Sequence, residues 1–356
     1  MKNMPHKEPQ RYKDHLEKPI TSDEVYRAIR AGAKKKTPGI DGICLEFYAA
    51  QWTLISAELT QVLNDMFMHK RLTRTHKQGI LICLPKAPNG NTPHEYRPIS
   101  LLTTEYKLLA RIMANRLKVI FEDQTLTGQY CGMPHRNILD ALATVRDLIS
   151  YHETAQTPLC IVTLDFQKAF DRIAHEYLFK ILECYGIGIW FIDRIRALYE
   201  DMSALVQING ELVGPIKIQS GVRQGCPLSM CLYAMCMQPL IRLLEVSLPG
   251  LRIGKTPPHT PVVAYADDIT IFVKDPAGFK AIHDALQLYE RASGASLNPQ
   301  KSSVMSVAGW SDPPSPLNIP CHDRVVVLGI TFHPTTTRSR DDNWSRIIQA
   351  VRGHAR

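Results

Sequence analysis

The chain has 356 residues, 45% apolar and 21% charged, with 42 Lys and Arg against 34 Asp and Glu for a net charge of +8. That composition excludes wholesale disorder, collagen-like repeats and coiled coil, and the length suits two domains or one with subdomains. No run of 18 apolar residues occurs, the N-terminus lacks an apolar leader, and the nine cysteines form no CxxC pair. The expectation is a reduced, intracellular protein, nuclear or cytoplasmic, without a membrane span, secretory signal or structural zinc. Its basic balance favours polyanionic partners through counterion release.

Residues 1–20 are polar and read as a loose tail. Thr21-Ser22-Asp23-Glu24 is a capping box opening a short helix, with Val25 and Ile29 on one face. After the basic run Lys34-Lys35-Lys36 comes the turn Pro38-Gly39-Ile40-Asp41-Gly42. The spacing of Leu45, Trp52, Ile55, Leu59, Leu63 and Met66 then predicts one long amphipathic helix. Strands are expected at 79–86 and 96–102, joined by a polar loop at 87–95. Helices follow, one marked by Leu109, Ile112, Met113 and Leu117, the next at 137–154.

The apolar run 159–164 reads as a buried strand ending at Asp165, ahead of helices at 174–185 and 188–201. Asn209-Gly210, between Val206-Gln207-Ile208 and Leu212-Val213, is the strongest hairpin signal. Pro227 is expected to open a helix at its permissive first position. A second hairpin spans 262–273, and a helix at 278–293 ends at Gly294. Residues 309–320 form a linker, and a strand at 325–332 precedes a helix beginning at Trp344. There is no internal repeat, and strands interleaved with helices predict an α+β class.

Two places put carboxylates where a plain core would not. Asp165 ends the run Cys160-Ile161-Val162-Thr163-Leu164, and Asp267-Asp268 interrupts Val262-Val263-Ala264-Tyr265-Ala266 and Ile269-Thr270-Ile271-Phe272-Val273. Burying an unpaired carboxylate costs several kcal/mol, so such residues need a cation or strong donors. A hairpin with its tip at Ala266-Asp267-Asp268, beside the strand ending at Asp165, would bring three acids together. An oxygen-only cluster suits Mg²⁺, and two ions about 3.5–4 Å apart can serve an in-line displacement. Taken singly, each site reads more simply as an acidic turn or a strand end.

Tyr265-Ala266-Asp267-Asp268 resembles the YADD box of reverse transcriptases. Leu164-Asp165-Phe166-Gln167-Lys168-Ala169-Phe170-Asp171 resembles their first palm motif in the form typical of non-LTR (LINE-type) retrotransposons. Between the two, the run from Ser220-Gly221-Val222-Arg223-Gln224 through Gly225-Cys226-Pro227-Leu228-Ser229 is similar to the family's template-contacting motif. Upstream, Leu84-Pro85-Lys86 with Tyr96-Arg97-Pro98-Ile99-Ser100-Leu101 resembles the fingers motif, and Thr37-Pro38-Gly39-Ile40-Asp41-Gly42 its N-terminal companion. The stretch from Gln129 to Asp140 resembles the block before the palm, with His135 where Gly is usual. Asn298-Pro299-Gln300-Lys301-Ser302 and Leu328-Gly329-Ile330 resemble the last palm motifs.

The resemblance implies a right-hand polymerase fold. Fingers and palm would fill 21–332, the palm sheet antiparallel, with a flexible tail at 1–20 and the start of a truncated thumb at 333–356. Within this, the fingers would take about 22–155 and the hairpin near 209. It implies an RNA-directed DNA polymerase that uses an RNA template, a DNA primer, dNTPs and two Mg²⁺ ions, with Mn²⁺ able to substitute. Asp165 and Asp267 would hold the metals, helped by Asp268 and the Phe166 carbonyl. Lys86, Arg97, Gln224 and Lys301 would serve the dNTP, and the Phe170 ring would exclude a 2′-hydroxyl. Gly221, Gln224, Gly225 and Pro227 would approach the template. Asp171 reads instead as the N-cap of a helix starting near Ile173. An endonuclease and the rest of a thumb are expected elsewhere in a larger polyprotein. The competing readings are a catalytically impaired nucleic-acid-binding remnant and a group II intron-type reverse transcriptase.

Overall fold

The structure is a computed structural model describing residues 12–86, 92, 95–123, 127–133, 135–254, 259–310 and 318–354. The chain opens with α1 (Lys13–Glu17), α2 (Ser22–Arg30), α3 (Leu45–Ala50), α4 (Trp52–His69) and α5 (Arg74–Lys77), then β1 (Gln78–Pro85) and β2 (Tyr96–Leu101). Next come α6 (Thr104–Asp123), α7 (Ile138–Ala155), β3 (Leu159–Leu164), α8 (Ala169–Arg172), α9 (His175–Cys184) and α10 (Ile189–Tyr199). Strands β4 (Ser203–Ile208) and β5 (Glu211–Lys217) lead to α11 (Ser229–Ser247), β6 (Val262–Tyr265), β7 (Asp268–Val273) and α12 (Pro276–Ser293). Strands β8 (Ser303–Ala308), β9 (Val325–Val327) and β10 (Ile330–Phe332) and helix α13 (Thr336–His354) complete it. Two compact units share this chain. One takes residues up to 123 with 173–233, the other 124–172 with 234 onward.

In the first unit the sheet order is β2-β1-β4-β5. Strand β1 pairs antiparallel with β2 and parallel with β4. The expected hairpin joins β4 to β5, with Asn209 and Gly210 both at positive φ, 51° and 89°, as a type I′ turn requires. The capping box at Thr21 is present. Residues 12–20 are not a loose tail, because Tyr12, Leu16 and Ile20 are buried. Arg116 on α6 explains this. It is 2% exposed, forks onto Glu24 with two 2.9 Å bonds, and donates to the carbonyls of Leu16 and Lys18. A buried guanidinium needs all these acceptors, so it ties the segment down. Residues 1–11 lie outside the described set.

Two further expectations change here. The long helix from Leu45 divides at Gln51, whose ψ of 6° separates α3 from α4 while the apolar spacing runs through the junction. Pro227 does not open α11. It sits in a turn two residues ahead, where the Ser229 N–H donates to the Cys226 carbonyl.

In the second unit the sheet order is β6-β7-β3-β8 and every pairing is antiparallel, as expected of the palm. All six residues of β3 are buried, which requires cover on both faces of the sheet. On one face Val145, Leu148 and Ile149 of α7 form a core with Ile161, Phe272 and Met305. Helix α12 approaches β7 so closely that a Cβ on Gly278 would lie 2.6 Å from a Val273 methyl. Helix α7 therefore packs with the sheet of the second unit, whereas the expectation grouped residues to 155 with the hairpin near 209, which lies in the first. The strand expected over 325–332 is a hairpin, because Leu328 and Gly329 take φ of 51° and 81° and fold β9 onto β10. Helix α13 begins eight residues before Trp344. The expected linker falls mostly outside the described residues, as does most of the loop at 87–95. Among the described residues no helix is long and apolar enough to cross a membrane, and no cysteine is joined in a disulfide.

Candidate active site

Strand register brings the acids of the second unit together. Strands β3 and β7 pair as far as Leu164↔Ile269, so the next step sets Asp165 opposite Asp268. Opposed residues of an antiparallel ladder have Cα atoms about 4.5–5.5 Å apart. On the other side Tyr265 pairs with Asp268, leaving Ala266-Asp267 as a two-residue loop at the same end of the sheet. Ala266 takes φ 58° and Asp267 does not have positive φ, the type II′ pattern. That first position favours glycine, so Ala266 is strained by about 1–2 kcal/mol.

Each acid has a different environment. Asp165 is half-buried and held by the loop after α12. Asn298 Nδ2 donates to its Oδ2 at 3.1 Å, the Asn298 N–H to its carbonyl at 2.8 Å, and its own N–H donates to Ser302 Oγ at 3.1 Å. Asp268 has its Oδ2 on the Leu328 N–H, 3.0 Å away at the tip of the β9–β10 hairpin. Burial pushes the Asp268 carboxyl above the ordinary aspartate range. The Leu328 N–H partly offsets this, and the charges of Asp267 and Asp165 add to the rise. Among the described residues, no three His, Cys, Asp or Glu side chains are grouped to hold a metal ion. The acids share a sheet end without forming a ready three-acid cage, and Asp268 is committed to backbone. The donor set still fits Mg²⁺, which takes one or two carboxylates and completes its shell with water and substrate phosphates.

The remaining residues of this unit lie on the same stretch of chain or the loop against it. Phe166 is buried, its ring edge-on to Tyr289 at 6.0 Å, and its backbone bridges to Leu297. Phe170 stands half-buried on α8. Asp171 lies inside α8 and is not the N-cap of the next helix, since Ala174 caps α9 without a side-chain bond. Lys301 is exposed in the turn after Asn298, to whose carbonyl its N–H donates. Sequence reasoning missed the roles of Asn298 and Ser302. Their motif was visible, but not that it grips Asp165 across more than 130 residues.

Gln129 was also passed over. It is fully buried, and its Oε1 accepts the N–H groups of Tyr130, Cys131 and Ala266 at 3.1, 3.0 and 3.1 Å. Arg136 donates to its carbonyl. In the same block His135 takes φ 60°, a conformation glycine adopts freely, which accounts for the Gly usual at that position.

The first unit carries the other set. Lys86 and Arg97 are both exposed at the end of the β1–β2 hairpin where the connecting loop leaves the strands; there Leu84 faces Arg97 and the Lys86 N–H donates to the Glu95 carbonyl. Residues two apart share a face, so both cations lie on one side of the hairpin. The loop 221–227 runs along β2. The Gly221 N–H donates to the Ile173 carbonyl, and the Gln224 carbonyl accepts the Ser100 N–H at 2.9 Å. Gly225 has φ 104°, and a Cβ there would lie 2.6 Å from the Ser100 oxygen, so no other residue fits. Pro227 follows half-buried, while Arg223, 4% exposed, donates to the Lys77 carbonyl and anchors the loop to the start of β1.

Known proteins resemble this chain in sequence and in fold. Residues 84–332 match the family model described as reverse transcriptase (RNA-dependent DNA polymerase). The chain is 34% identical to the uncharacterized 149 kDa protein of transposon TX1 from Xenopus laevis, over 83% of its own length and 22% of the relative's. It is 29% identical to the Pol polyprotein of the type-1 retrotransposable element R2 from Popillia japonica, over 83% of its length and 40% of the relative's. The chain thus spans less than half the length of these relatives. Among solved structures it resembles the apo telomerase of Candida tropicalis truncated from its C-terminal domain, with a TM-score of 0.50 at 15% identity. That likeness covers 78% of this chain and 59% of the other, and supports a right-hand polymerase fold. The chain belongs to the reverse transcriptase family, and its relatives place it among the reverse transcriptases of non-LTR retrotransposons.

Proposed function

We propose that the chain is the catalytic core of an RNA-directed DNA polymerase, extending a DNA primer on an RNA template. The observation carrying this reading is the convergence of Asp165 and the Ala266-Asp267 turn at one end of an antiparallel sheet, with Asn298 and Ser302 fixing Asp165. Asp165 and Asp267 would hold Mg²⁺, or Mn²⁺ in its place, with the Phe166 carbonyl as a further ligand. Magnesium bound there supplies charge stabilisation to phosphoryl transfer, which depends mostly on positioning and electrostatics. Asp268 contributes negative potential and holds the neighbouring hairpin.

Lys86 and Arg97 suit a triphosphate, Arg as a bidentate fork and Lys as a point charge. Lys301 would neutralise or protonate departing pyrophosphate. Phe170 would close the space a 2′-hydroxyl needs, selecting deoxynucleotides by exclusion. Gly221, Gln224, Gly225 and Pro227 would lay backbone against the template.

The test is primer extension on poly(rA)/oligo(dT) with Mg²⁺ and dTTP, comparing the wild-type chain with Asp267→Ala. Wild type should extend the primer, and the variant should lose extension while still binding the hybrid. A wild-type chain that binds the hybrid yet incorporates nothing would replace this reading with that of a nucleic-acid-binding remnant.

A further inference from the structure

The Ala266-Asp267 turn is held in place by a residue remote in sequence. Two main-chain bonds lay the segment 128–130 against β6. The Ala264 N–H donates to the Gly128 carbonyl at 2.7 Å, and the Tyr130 N–H to the Ala264 carbonyl at 2.8 Å. From this fixed segment the Gln129 side chain reaches past the end of β6 to the Ala266 N–H. Three donors converge on Oε1, which settles the orientation of the amide, and among the described residues Nε2 has no hydrogen-bond partner. The side chain therefore serves as an acceptor.

Ala266 is 5% exposed, so water cannot readily replace Gln129 as the acceptor for its N–H. It is also the residue whose φ of 58° is disfavoured for any side chain with a Cβ. A strained conformation persists only where its surroundings over-determine it, and here the Gln129 oxygen does so. The next residue in the chain is Asp267.

We propose that Gln129 is a positioning residue for Asp267, its buried oxygen pinning the Ala266 peptide so that the turn holds the acid in one place. The catalytic part of this proposal rests on the polymerase reading; the structural part does not.

The experiment uses the full chain and Gln129→Met, which keeps length and volume but removes the acceptor. In metal-free protein, amide exchange at Ala266 should accelerate roughly tenfold or more in the variant, with β3 amides unchanged, because opening is local. In primer extension with Mg²⁺, kcat should fall roughly ten- to hundredfold while KM for dTTP stays within about twofold, as expected for a misplaced reacting group. Ala266→Gly in the Gln129→Met background should restore part of kcat, because glycine takes the turn without help. A void in the core would not respond to that change.

Unchanged exchange at Ala266 overturns the proposal, and so does a kcat loss that glycine fails to relieve. If Gln129→Met unfolds, exposed by lost protection in β3, Gln129→Glu decides instead. It retains an acceptor oxygen and should keep Ala266 protected, and loss of that protection refutes the role. If the wild type fails to extend primers, the polymerase reading fails, and the exchange measurement still decides whether Gln129 holds the turn.

Discussion

Gly225 offers a quantitative test of the loop that runs along β2. In Gly225→Ala the new Cβ would start 2.6 Å from the Ser100 oxygen, and ordinary contact begins at 3.4 Å, so the loop must retreat by about 0.8 Å. That retreat pulls against the 2.9 Å bond from the Ser100 N–H to the Gln224 carbonyl, next to the substituted residue. Losing a buried hydrogen bond costs about 1–3 kcal/mol. The φ of 104° adds about 1–3 kcal/mol for a residue with a Cβ. The sum is a destabilisation of about 2–6 kcal/mol.

Gly210→Ala is the matched control. Its φ is 89°, but among the described residues no atom beyond its chain neighbours lies within 4 Å of the added methyl, so it carries the conformational cost alone. Urea unfolding of the three proteins should order them wild type, Gly210→Ala, Gly225→Ala. Hydrogen exchange at Ser100 should speed up only in the last. Equal midpoints for the two variants would refute the close approach between Gly225 and β2.

Asp268→Asn probes the buried acid. Burial raises the folded-state pKa of Asp268, so its ionised form weighs against folding above that pKa. The burden lifts as pH falls through the raised value and is gone below the unfolded one. The Asn variant, which keeps an oxygen for the Leu328 N–H, should melt above wild type at neutral pH and lose that advantage on acidification; a pH-independent difference would contradict the assignment. Phe170→Ala should narrow the preference for dTTP over UTP by roughly tenfold or more in kcat/KM, and an unchanged ratio would remove Phe170 from sugar selection.

Local signals in the chain were legible where one segment decides its own conformation. Thr21 with Glu24, Asn209-Gly210 and Gly294 mark element ends by chemistry that acts over a few residues, and each lies where expected. The apolar run of β3 and the acid after it were readable for the same reason. What periodicity could not reveal was partner choice. The parallel pairing of β1 with β4 joins residues about 125 apart, and nothing in either strand names the other. Asn298 with Asp165, at a separation of 133, and Gln129 with Ala266, at 137, are likewise contacts of the finished fold. The hairpin hidden in 325–332 escaped because Leu328 occupies a left-handed position usually signalled by Gly or Asn.

The interleaving of the two units bears on how such a chain can be made. Residues 124–172 enter the second unit before the first has received β4 and β5. The strand at 159–164 emerges from the ribosome about 100 residues ahead of β7 and about 140 ahead of β8, its two neighbours in the sheet. A strand buried along its whole length, left unpaired for that interval, is a template for wrong partners. Expression of shortened versions ending before 308 should therefore yield insoluble protein, and chaperone demand should peak while β3 waits for β8.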